Sequence, residues 1–110
     1  MNILWSSSSL KKLVNANSSK KWEASGVEID SRKVKRGDLF CALNGENFNG
    51  HDFINSAFEK GATACLISEN LINTKKITLA KVNNVLDTLE KMAKNARMRS
   101  KAKFIAITGS

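Results

Sequence analysis

Apolar and polar positions change period several times along this chain, and each change marks an element. Ser6 to Ser9 precede Leu10, Leu13 and Val14, which predicts a short helix whose serine cap satisfies the free amides of the first turn. Ile3-Leu4-Trp5 reads as an apolar anchor ahead of it, and Asn15 to Lys21 as a polar loop. Trp22 to Ile29 alternates loosely and predicts a strand ending at Asp30-Ser31. Lys35-Arg36-Gly37-Asp38 is a turn, and Leu39 to Leu43 is an apolar run suited to a strand buried on both faces. After the loop Asn44 to Gly50, a helix is predicted over His51 to Lys60, with Phe53, Ile54, Ala57 and Phe58 as its buried stripe and Gly61 as its stop.

Thr63 to Ile67 is the next buried strand. Ile77 to Val82 alternates, as a strand near the sheet edge would. Asn83 to Arg99 is the longest helix, with Val85, Leu86, Leu89, Met92, Ala93 and Ala96 on one face. Phe104 to Ile107 is read as a final apolar strand. The order is helix, strand, strand, helix, strand, strand, helix, strand, which predicts an α/β fold: a small mixed sheet flanked by helices.

Composition narrows the function classes. At 110 residues with 42% hydrophobic positions, the chain has material for one modest core. No apolar stretch is long enough to span a membrane, and the start MNILWSSSSLKKL has no basic segment ahead of a long apolar block, so a cytosolic protein without a signal peptide is expected. Cys41 and Cys65 sit in apolar strand-like runs without zinc-site spacing and read as buried reduced thiols; a disulfide would require the two strands to be neighbours. The net charge of +8 raises nucleic acid or another polyanion as a partner. The charge is scattered through Lys11-Lys12, Lys20-Lys21, Arg32 to Arg36 and Lys91 to Lys103, without aromatic interleaving, so nucleic-acid binding is the disfavoured reading.

Few residues can carry chemistry. His51 is the one histidine, at a predicted helix start where the dipole favours its neutral ring; it suits organising a loop or cap, or contacting a ligand, better than acting as a base, because no nucleophile is paired with it. No metal-ligand cluster is spaced for an ion: Asp30, Asp38 and Asp52 are separated by turns. Asp30-Ser31-Arg32 offers a hydroxyl and a guanidinium fork suited to a nucleobase edge or a phosphate; alternatively Asp30 ties the following turn and Arg32 is solvated. The nearby loop Gly45-Glu46-Asn47-Phe48-Asn49-Gly50-His51 sets carboxylate, amide and aromatic groups on a glycine frame, as a polar-ligand clamp would; Phe48 either stacks on a base or plugs the core. Thr108-Gly109-Ser110 follows the last apolar run, where a strand-to-glycine turn can present amides to phosphate, but the lysine such loops use is absent.

Taken together, DSRKVKRGDLFCALNGENFNGHDFI, EKGATACLISE and LEKMAKNARMRSKAKFIAITGS resemble, in this order, the N-terminal region of the Mur ligases, which build the peptidoglycan stem peptide in the cytoplasm. The likeness spans nearly the whole chain. MNILW and RMRSKAKFIAITGS are more similar to the members that add D-alanyl-D-alanine; those that add the third residue come second. The resemblance implies a domain over 1–102 that binds the uridine-diphosphate end of UDP-MurNAc-tripeptide. Residues 103–110 would be the first strand and the start of the phosphate loop of a central ATP-binding domain. Ser31 with Arg32 matches the family step that meets the uridine nucleotide, Glu46, Asn47 and Phe48 match the loop that closes on it, and His51, which follows that loop, is expected with them among the UDP-binding residues. Asn49 stands where the family commonly has Asp. Thr108, Gly109 and Ser110 match the opening of the family's TGSxGKT loop, without its Lys and Thr.

The resemblance further implies that the complete enzyme uses ATP and Mg2+ to form an acyl phosphate that an amine attacks. This chain alone is expected to bind neither and to be inactive. Its expected partners are the UDP-MurNAc-peptide substrate and, if the gene is split, the remaining ligase domains, with no membrane. A small basic nucleic-acid-binding protein and a remnant of a decayed gene are the alternative readings.

Overall fold

The computed structural model describes the backbone of residues 3–45, 49–71 and 76–108, and side chains as far as residue 98. A main sheet of five strands runs β2 (Asn17–Ser18), β7 (Leu79–Lys81), β6 (Ala64–Ile67), β5 (Asp38–Cys41), β4 (Gly26–Glu28). β4 to β7 are parallel to their neighbours, and β2 is antiparallel to β7. A separate ribbon pairs β1 (Trp5–Ser6) with β3 (Glu23–Ala24). Among the described residues the α-helices are α1 (Ser7–Val14), α2 (Ile54–Glu59) and α3 (Val85–Thr108). The α/β architecture is therefore as the pattern predicts.

The sheet separates two cores. Because successive side chains of a strand point to opposite faces, Leu39 and Cys41 join Trp5, Leu10, Trp22, Leu66, Val85 and Met92 on one side. Phe40 and Ala42 join Ile54, Ala57, Cys65 and Ile67 on the other. β5 and β6 are buried along their whole length. Register also settles the cysteines. The strands are neighbours, but Cys65 pairs with Phe40 and Cys41 with Leu66, so the two thiols lie on opposite faces and both are free.

Local signals explain the helix ends. Ser6 caps α1 by accepting from the Ser9 amide at 3.1 Å, while the Ser9 hydroxyl accepts from the Ser6 amide at 2.8 Å, a reciprocal capping box. Gly61, at φ 109, turns the chain after α2 in a conformation that penalises any side chain.

Several expectations change. The strand over Trp22 to Ile29 is two strands in two sheets, divided at Ser25, whose amide donates to the Gly37 carbonyl at 3.0 Å and draws the chain toward the main sheet. The loop over Asn15 to Lys21 contains β2, which takes the sheet edge; β7 lies next to it, near the edge as expected. The predicted helix over His51 to Lys60 opens as a 3-10 turn, Gly50–Phe53, before α2. Ile54 and Ala57 are buried, but Phe53 and Phe58 are 41% and 39% exposed, because a short helix on a narrow sheet turns only part of its stripe inward. On α3, Leu86 and Ala93 are exposed, whereas Thr88 is buried and donates its hydroxyl to the Asn84 carbonyl at 2.8 Å.

The strand expected over Phe104 to Ile107 is the end of α3, which runs unbroken to Thr108. A strand needs a neighbouring strand to satisfy its backbone groups, whereas a helix satisfies them within itself.

Candidate functional site

The parallel strands deliver their polar residues to one edge of the sheet. Ile29 to Arg32 leave β4, Ala42 to Gly45 leave β5, and Ser68 and Glu69 leave β6 at their carboxyl ends. Ligands of open α/β sheets bind in crevices at this edge. A cavity of about 480 Å3 lies there, lined by Ile29, Asp30, Ser31, Arg32, Phe40, Gly50 and Phe53. Phe40 is buried at its base, while Ile29 and Phe53 are 56% and 41% exposed.

The Asp-Ser-Arg step is a 3-10 turn, Ser31–Lys33, capped by Asp30. The Asp30 carboxylate accepts from the Arg32 amide at 2.9 Å and from the Arg32 guanidinium at 3.1 and 3.0 Å. The guanidinium, then the backbone amide, hold the Asp30 carboxyl down at about 2. The same contact raises the Arg32 pKa. Asp30 therefore ties the turn, as one of the two readings of this step required. It uses only two of the five N–H groups of a guanidinium, so Arg32 keeps donors for a ligand. Ser31 lines the cavity, and its hydroxyl bonds to no other described residue.

His51 is placed differently. Its ring is buried, and Nε2 accepts from the Ser68 amide at 3.0 Å and from the Glu69 amide at 3.4 Å. An accepting Nε2 leaves the proton on Nδ1, which donates to the Asn49 side-chain oxygen at 2.7 Å and lies 3.3 Å from the Glu69 carboxylate. Asn49 in turn donates to Glu69 at 2.8 Å. Both ring nitrogens are thus engaged within the protein, and His51 does not line the cavity. It fastens the end of β6 to the turn carrying Gly50 and Phe53, the loop-organising role weighed for it, and Asn49 supplies that network with an amide in place of a carboxylate.

Gly50 is the hinge of this arrangement. Its amide donates to the Leu43 carbonyl at 2.7 Å, and a Cβ there would come within 2.5 Å of the Leu43 nitrogen. Sequence reasoning missed Ile29, Phe40 and Phe53 as cavity walls, whereas Gly50 belongs to the loop it read as a ligand clamp. The signal for Ile29 was an apolar residue directly ahead of Asp30-Ser31-Arg32. Phe53 was masked by its helical spacing.

Glu46, Asn47, Phe48, Gly109 and Ser110 lie outside the described residues, and Thr108 is described only as the last residue of α3. Among the described residues no group of three or more His, Cys, Asp or Glu side chains could hold a metal ion. No helix among them is long and apolar enough to cross a membrane.

The family model described as "Mur ligase family, catalytic domain" matches residues 23–99, from β3 into α3. The chain belongs to the Mur ligase family. It is 44% identical over 108 residues to the UDP-N-acetylmuramoyl-tripeptide--D-alanyl-D-alanine ligase of Rickettsia prowazekii, covering 98% of this chain and 24% of that protein. It is 34% identical over 86 residues to the UDP-N-acetylmuramoyl-L-alanyl-D-glutamate--2,6-diaminopimelate ligase of Clostridium perfringens, covering 76% of this chain and 18% of that protein. Among solved structures, MurF from Acinetobacter baumannii superposes with a TM-score of 0.71 at 22% identity, over 80% of this chain and 20% of that one, which shows the shared fold. This member of the family thus spans about a quarter, or less, of the length of the relatives it matches.

Proposed function

We propose that this Mur ligase chain is the part of a peptidoglycan-precursor ligase that recognises the uridine-diphosphate end of UDP-MurNAc-tripeptide, to which the complete enzyme adds D-alanyl-D-alanine with ATP. The observation that carries this reading is the cavity shared by Ser31, Arg32, Gly50 and Phe53. Its chemistry suits a nucleotide. Ile29 and Phe53 present apolar surface to the faces of a base, the Ser31 hydroxyl can donate to or accept from a base edge or ribose, and Arg32 offers a cation to the diphosphate. Glu46, Asn47 and Phe48 would close over it as the family loop does. His51 acts as a positioning residue through Gly50. We assign this role to residues 1–102, with a cytoplasmic location.

The described residues do not fit ATP and Mg2+. Thr108 ends a helix rather than a strand, and no carboxylate cluster is present among the described residues. Spanning about a quarter of its ligase relatives, the chain by itself is expected to bind substrate without ligating it, and Thr108, Gly109 and Ser110 would act only with the rest of a phosphate loop.

Addition of the third stem residue is the second reading, favoured by the similarity to the Clostridium perfringens ligase.

Isothermal titration with UDP-MurNAc-tripeptide tests the proposal. Saturable binding should weaken about fivefold to tenfold in Ser31→Ala, the value of one hydrogen bond. A folded chain that binds nothing, or binds equally well without the hydroxyl, would refute it.

A further inference from the structure

The lysine pairs near the N-terminus take no part in the nucleotide cavity, yet the fold gathers them. A groove of about 1090 Å3 runs along the start of α1, β2 and β3 and shares no lining residue with the cavity at the carboxyl edge. Lys11, Lys20 and Lys21 line it against one carboxylate, Glu23. Ser7, Ser8 and Ser18 add hydroxyls.

This placement is fixed by hydrogen bonds rather than by the lysines themselves. The Ser7 amide donates to the Trp22 carbonyl at 2.9 Å, and the Trp22 amide donates back to the Ser7 hydroxyl at 3.3 Å. The Trp22 indole donates to the Ser18 hydroxyl at 3.0 Å. Residues 18–22 are thereby stapled to the first turn of α1. Lys11 lies four residues beyond Ser7, on the same helix face. The two segments that carry these lysines are thus held along one groove before any ligand arrives, which lowers the ordering cost of binding.

We infer that this groove is a second binding site, for a ligand carrying several phosphates in a row. The Lys11 and Lys21 ammonium groups, carried by two segments of an open groove, match distributed charge better than a single anion, and serine hydroxyls add donors to phosphate oxygens. Both described tryptophans are buried, so no indole face is offered for base stacking, and recognition is of the phosphates alone. Free oligophosphate and the backbone of a nucleic acid present the same chemistry.

The test is a titration of the full chain with sodium tripolyphosphate, followed through the Trp22 indole NH resonance. Saturable binding should weaken at least about tenfold in the Lys11→Ala/Lys21→Ala double variant. Ser8→Glu, which puts a carboxylate at the groove, should weaken it independently of the lysines. Lys91→Ala/Lys94→Ala, on exposed α3 positions, should leave it unchanged. A loss as large in that control, or no saturable shift, would overturn the assignment. A parallel titration with oligothymidylate separates the sources: tighter binding of either probe supports the site and names its natural class.

Discussion

The His51 ring accepts the Ser68 backbone amide at 3.0 Å, joining the end of one parallel strand to the turn that follows its neighbour. The contact spans 17 residues of sequence and fixes a wall of the cavity at the carboxyl edge, which His51 itself does not line.

His51→Ala should therefore leave the half-buried Ser68 amide without its partner and cost about 1–2 kcal/mol of stability. Urea denaturation measures it. Affinity for UDP-MurNAc-tripeptide should also fall, because Gly50 and Phe53 lose their anchor. A stability change below about 0.5 kcal/mol would show that the ring is not the fastener described.

Phe53→Ala separates binding from folding. Phe53 is 41% exposed at the cavity wall, so its removal should cost under about 1 kcal/mol of stability. If it stacks on the base, affinity should drop about tenfold. Unchanged affinity, by calorimetry on the folded variant, would remove the aromatic wall from the proposed site.

Asp30 predicts a pH signature. Its carboxyl is lowered from 3.8 to about 2 by Arg32, so the folded form binds its proton less readily than the unfolded chain. The resulting stabilisation is fully present above about pH 4 and is lost as the pH falls through about 2. The Asp30 carboxyl carbon should titrate near 2 by NMR, and Arg32→Ala should return it toward 3.8. A midpoint near 4 in the unmodified chain contradicts the ion pair.

Cys41 and Cys65 should resist thiol reagents at pH 8 until the protein unfolds. Burial raises both thiols, Cys65 to about 12, so almost no thiolate is present and access is blocked. Rapid labelling of the native chain would mean that the sheet opens far more readily than its buried central strands suggest.

The sequence by itself determined the local units: the serine-capped first helix, the apolar runs of β5 and β6, the stop at Gly61, the Asp-Ser-Arg turn, and the family likeness these carry. Those units depend on contacts within a few residues, which periodicity and capping chemistry reveal. Only the tertiary structure decided the division of Trp22 to Ile29 between two sheets, since that rests on the Ser25 amide reaching Gly37. It also decided that neighbouring cysteine strands keep their thiols apart, because a one-residue offset in register reverses the face. The candidate site divides in the same way. Asp30, Ser31 and Arg32 are adjacent in the chain and could be read from it, whereas Phe53 becomes a wall, and His51 a fastener, only when parallel strands bring distant loops to one edge.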